Sequence, residues 1–123
     1  MKIAISSSEN DLDGSVDNKF GRCDYFLIVN VEDKKVKDFK AIENSAKSQV
    51  GGAGVTAGET VAREKVDAVI TVNVGPRAFS IFEQFGIKIF QGEGKTKKVI
   101  EDFLAGNLEE LTGSSGPQHA GIR

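Results

Sequence analysis

Residues 66–90 read "VDAVITVNVGPRAFSIFEQFGIKIF" and contain a whole strand–helix–strand unit. Asp67 to Val72 ("DAVITV") is apolar almost throughout, the pattern of a strand buried on both faces. Gly75-Pro76 follows, and a proline at the first helical turn is tolerated because its missing N–H has no intrahelical partner. Phe79, Phe82 and Phe85 then supply an apolar stripe, and Gly86 closes the helix. Ile87 to Phe90 ("IKIF") is a second buried strand. Two such strands joined by a helix lie parallel with a right-handed crossover, so this stretch predicts an α/β protein.

Working outward gives the rest of the sheet. Upstream, "VTAGETVAREKV" predicts a helix with Val55, Ala62 and Val66 near one face and Thr56 with Glu59 as a capping box. Before it, Lys2 to Ser6 and Tyr25 to Val31 are β-rich, and Val36 to Ile42 has the outward lysines of an edge strand. The polar Glu32-Asp33-Lys34-Lys35 joins the last two as a hairpin. Downstream, "TKKVIEDFLA" (96–105) predicts a final helix. The order β-β-β-α-β-α-β-α implies a three-layer α/β/α domain. Its five-stranded mixed sheet has the second strand antiparallel, in a ribonuclease H-like arrangement. One domain over 1–111 is expected, followed by a flexible Gly/Ser-rich tail over 112–123.

Composition narrows the function. The chain has 123 residues, 39% hydrophobic and 28% charged, with a formal net charge of -2. That length supports a core without disulfides, and the charge carries no nucleic-acid footprint. One cysteine permits no intrachain disulfide, no apolar run reaches the roughly 20 residues of a spanning helix, and "MKIAISSSEN" turns polar too early for a signal peptide. A cytoplasmic protein with no membrane or nucleic-acid partner is expected, as a monomer or weak homodimer.

Ligands of open α/β sheets bind outside the carboxyl ends of the parallel strands. Asn73-Val74-Gly75 leads from one such end and the glycines Gly51, Gly52 and Gly54 from another. The antiparallel strand begins at the same edge, with Phe20, Gly21, Arg22 and Cys23. All nine residues other than Val74 are therefore candidates for one ligand crevice. Helix N-termini and Arg22 favour an anion there, and Cys23 is the candidate metal ligand. Cys23 read as a small buried hydrophobe is the competing interpretation.

Catalysis finds little support. The only histidine, His119, falls in the tail, so a Ser-His-Asp set is absent. "GEGKT" (92–96) has the end of a phosphate-binding loop, but that motif's first glycine would fall at Ile89. "GGAGVTAG" fails the dinucleotide fingerprint at Ala57. A two-metal nuclease needs carboxylates on the first strand, and "KIAIS" has none.

Taken together, "VDNKFGRCDYFLIV" (16–29), "GGAG" (51–54) and the stretch from 66 to 90 resemble the dinitrogenase iron–molybdenum cofactor biosynthesis family, over nearly all of residues 1–105. That family includes nitrogenase accessory factors and small stand-alone proteins. The resemblance implies a non-catalytic binding or carrier protein for an anionic iron–sulfur-type cluster, the iron–molybdenum cofactor or a precursor. A cluster donor or acceptor protein would be its partner. By position, the implied site residues are Phe20, Gly21, Arg22, Gly51, Gly52 and Gly54. Cofactor carriers often have a histidine before the Phe-Gly pair, where this chain has Lys19. The alternative function is a regulatory module binding a phosphate-bearing small molecule at the same crevice. A carrier would need the thiolate of Cys23, and a phosphate module would not.

Overall fold

The computed structural model describes residues 1–113, so most of the expected tail lies outside the described residues. The sheet contains β1 (Lys2–Ser7), β2 (Tyr25–Glu32), β3 (Lys35–Glu43), β4 (Ala68–Thr71), β5 (Lys88–Gln91) and β6 (Glu109–Glu110). They lie in the order β3-β2-β1-β4-β5-β6. β2 is antiparallel to β1, with Ile5 opposite Leu27, while β4 is parallel to β1, with Ile5 opposite Ile70. β4 and β5 are parallel, as the strand–helix–strand stretch requires. The sheet is thus mixed as expected, with β6 added as a short antiparallel sixth strand on β5.

Three helices cover the sheet: α1 (Ala53–Arg63), α2 (Pro76–Gln84) and α3 (Thr96–Leu104). Alternation along the strands divides the core. Ala4, Phe26, Ile28, Val69 and Ile89 face a cluster that takes in Ala57 and Val61 of α1 and Ala78 and Phe82 of α2. Ile3, Ile5, Leu27, Val29 and Ile70 face Val99 and Ile100 of α3. This gives three layers, with two helices on one face of the sheet and one on the other.

Several local expectations are corrected. α1 starts at Ala53, after Gly52 in the left-handed region (φ 71), so Thr56 and Glu59 lie inside the helix and form no capping box. Its buried face is Ala53, Ala57, Gly58 and Val61; of the predicted stripe, Val66 is buried just beyond the helix, Ala62 is partly buried against the same cluster, and Val55 lies outside it. Small residues there let α1 approach α2: a Cβ on Gly58 would sit 3.3 Å from the Ile81 side chain. In α2, Phe82 is buried, but Phe85 is the C-cap residue and stays 63% exposed. The hairpin turn has Asp33 and Lys34 both at positive φ, the geometry of a two-residue type I′ connection.

Candidate functional site

Three chain segments meet at the edge where β4 ends and α1 and α2 begin. A single 3₁₀ turn, Phe20–Arg22, brings the segment before β2 against the start of α1. The contact is close: a Cβ on Gly21 would lie 3.2 Å from the Gly54 backbone nitrogen. Below it the Phe20 ring stands against Phe26 and Phe82, with centroids 5.0 and 5.2 Å away. The aromatic contacts fix the turn to the core.

The turn is also held by Asn44, a buried residue that the sequence reading did not single out. Its Nδ2 donates to the carbonyls of Gly21 (3.1 Å) and Cys23 (2.9 Å), and its Oδ1 accepts from the Ala46 N–H (3.1 Å). Removing the amide leaves three backbone groups short of a partner. Asn44→Ala is expected to cost about 3 kcal/mol and to lower Tm by roughly 10 °C in a thermal melt. A change of a degree or two would show that water replaces the amide without loss.

These segments enclose a crevice of about 690 Å³. Among the predicted residues, Phe20, Gly21, Arg22, Gly52, Gly54, Asn73 and Gly75 line it. Gly51 and Cys23 do not. Lys19 and Arg77 line it too, and so do Asn18 and Pro76. Arg77 carried a signal in the sequence, as a guanidinium directly after the Gly-Pro that opens a helix.

The lining is cationic. Lys19, Arg22 and Arg77 contribute side chains, and no aspartate or glutamate among the described residues lines the crevice. None of the three cations joins an ion pair among the described residues. The helix starts add to the charge. Neither α1 nor α2 has a side-chain cap or an acidic residue in its first turn. Their first N–H groups lack intrahelical partners and carry the positive end of the helix dipole. Arg22 is partly engaged: its Nη1 donates to the carbonyls of Lys47 and Gln49.

Cys23 corrects the expectation that the thiol faces this crevice. The 3₁₀ turn rotates its side chain inward, where it is 0% exposed within the α1–α2 face of the core. Its Sγ lies 3.3 Å from the carbonyl oxygens of Phe20 and of Tyr25. Burial pushes the thiol from its ordinary 9.0 up to about 12; the charges of Asp17 and Asp24 add to the rise and a Ser7 N–H opposes it. A neutral, enclosed thiol is a poor metal ligand.

The raised value also sets a pH dependence. Between about 9.0 and 12 the folded thiol keeps a proton that the unfolded thiol releases, so stability falls as pH rises through that window. Alkaline unfolding should therefore be steeper above pH ~9 in the native chain than in Cys23→Ala, read as Tm against pH. Parallel curves would place the thiol in a more hydrated setting than the structure gives it.

The chain resembles known proteins over nearly its whole length. A family model described as dinitrogenase iron-molybdenum cofactor matches residues 1–106. An uncharacterized protein of Methanocaldococcus jannaschii is 37% identical over 112 residues, covering 90% of this chain and 92% of that protein. A second uncharacterized protein of that organism is 32% identical over 113 residues, covering 91% and 95%. Among solved structures, the apo form of the orange protein from Desulfovibrio gigas superposes with a TM-score of 0.86 at 28% identity, covering 94% of this chain and 96% of that one.

Proposed function

This chain belongs to the dinitrogenase iron-molybdenum cofactor family, and from that premise we propose that it is a non-catalytic carrier of an anionic metal–sulfur cluster. The observation that carries the proposal is a crevice bordered by three cations and two uncapped helix starts, with no carboxylate in its lining among the described residues. The donor set decides the form of the cargo. Among the described residues the lining offers no cysteine, histidine, aspartate or glutamate, so a bare metal ion would find there no protein ligand of the usual kinds. A preassembled cluster brings its own sulfide ligands and a net negative charge. It would be held by hydrogen bonds from guanidinium, ammonium and backbone N–H groups, which are strongest when the acceptor is charged.

The same lining supports carriage over chemistry. Among the described residues it has no hydroxyl or thiol nucleophile and no group of the kinds that titrate near neutrality. The burial of Cys23 also favours a second reading, a module for a phosphate-bearing molecule, because such a module needs only cations and backbone N–H groups. The two readings separate by ligand preference. Anaerobic calorimetric titration with tetrathiomolybdate, inorganic phosphate and ferrous ion is the test. The carrier reading expects tetrathiomolybdate to bind at least about tenfold more tightly than phosphate, since its diffuse charge is less costly to dehydrate. Ferrous ion should not bind measurably. Tighter phosphate binding would favour the regulatory module, and ferrous binding lost in Cys23→Ala would overturn both.

A further inference from the structure

The segment between β3 and α1 is tied to the crevice by a residue that also lines it. At one end, Ala46 is buried and its N–H is held by Asn44. At the other, Gly51 and Gly52 both take left-handed conformations (φ 74 and 71) that few other residues adopt, just before α1 starts. Between these ends Val50 is fully exposed, so little burial holds the segment down. Its main tether is the Arg22 Nη1, whose two hydrogens go to the carbonyls of Lys47 and Gln49. A second tether, Lys47 Nζ to Asp24 at 3.1 Å, is half exposed on both sides and contributes little.

Arg22 thus divides its donors. Nη1 serves the segment, while the Nε–Nη2 edge has no protein partner among the described residues. That edge is the one that grips an anion with two parallel bonds. We propose that residues 46–52 form a strap whose closure and anion binding stabilise one another through the shared guanidinium of Arg22. The proposal rests on the anion-binding reading above. An anion on the free edge fixes the guanidinium plane, so holding Lys47 and Gln49 then costs less side-chain entropy. By linkage, a closed strap raises anion affinity by the same factor that the anion favours closure. Loading and strap position would then be one event, and a partner that pulls the strap open would lower the affinity for the cargo.

Amide hydrogen exchange on the full chain tests this, with tetrathiomolybdate as the probe and binding measured on the same samples. The reporters are the N–H groups of Lys47 and Gln49, bonded to the carbonyls of Asn44 (3.2 Å) and Ala46 (3.0 Å). In the native chain their exchange should slow about fivefold at saturation. In Arg22→Ala it should be fast with or without probe, while β1 and β4 amides keep their protection and show that the variant is folded. Arg77→Ala should need more probe yet reach the same strap protection once saturated. Saturable binding that leaves strap exchange unchanged overturns the coupling and leaves the anion reading standing. Unchanged strap exchange in probe-free Arg22→Ala overturns the tether itself. Absence of any probe binding overturns both the strap and the reading beneath it.

Discussion

Arg77→Glu should lower the affinity for tetrathiomolybdate by about 100-fold, the largest binding effect expected from one substitution. Arg77 lines the crevice in the first turn of α2 and has no ion-pair partner among the described residues. Its reversal removes a charge-assisted hydrogen bond and sets a carboxylate against the incoming anion. Each of these effects is worth about tenfold. The new carboxylate would also sit at the positive end of the α2 dipole, which stabilises the helix, so Tm should hold or rise slightly. A binding loss with unchanged Tm separates a ligand role from a structural one. Arg77→Glu binding within about threefold of the native chain would move the anion away from α2.

Phe82→Ala should be the most destabilising single change among the named residues. Phe82 is fully buried and meets the Phe20 ring edge-on at 5.2 Å. Large-to-small changes of this kind cost about 3–5 kcal/mol, or roughly 15 °C in Tm for a chain of this size. The effect should reach the crevice. Phe20 rests between Phe26 and Phe82, so a cavity at 82 frees the 3₁₀ turn that presents Gly21 and Arg22. Denaturant melts should show the lost stability, and anion affinity should fall even where the variant is fully folded. Affinity equal to that of the native chain would mean that Phe26 alone holds the turn.

The parallel strands could be read from sequence because burial on both faces leaves continuous apolar runs between Gly and Pro boundaries. "DAVITV" and "IKIF" are of that kind, and both are strands. β6 carries no such signal: it is Glu109 and Glu110, exposed, and its pairing depends on where α3 returns the chain. The buried face of α1 is only partly legible because most of its contacts are made by glycine and alanine, which carry little hydrophobic periodicity. Close helix packing selects those residues for size.

The crevice was legible in part. Strand order alone brings Arg22, Gly52, Gly54 and Gly75 to one edge, and they do line it. What strand order cannot reveal is rotation within a turn. Arg22 and Cys23 are neighbours, yet the 3₁₀ turn sends one outward and the other into the core. Asn44 was illegible for a related reason. Two of its bonds go to the carbonyls of Gly21 and Cys23, which only the folded hairpin brings near it; the third, from the Ala46 N–H, is local.

The central claim is that an anion sits among Lys19, Arg22 and Arg77 at the starts of α1 and α2, with no bond to Cys23. Titrating uniformly ¹⁵N-labelled protein with tetrathiomolybdate, and following each backbone amide, tests it most directly. The predicted result is saturable shifts centred on the amides of Gly21, Ala53, Gly54, Arg77 and Ala78, the same in Cys23→Ala as in the native chain. Shifts centred on another face of the sheet, or shifts at the crevice that vanish in Cys23→Ala, would contradict it.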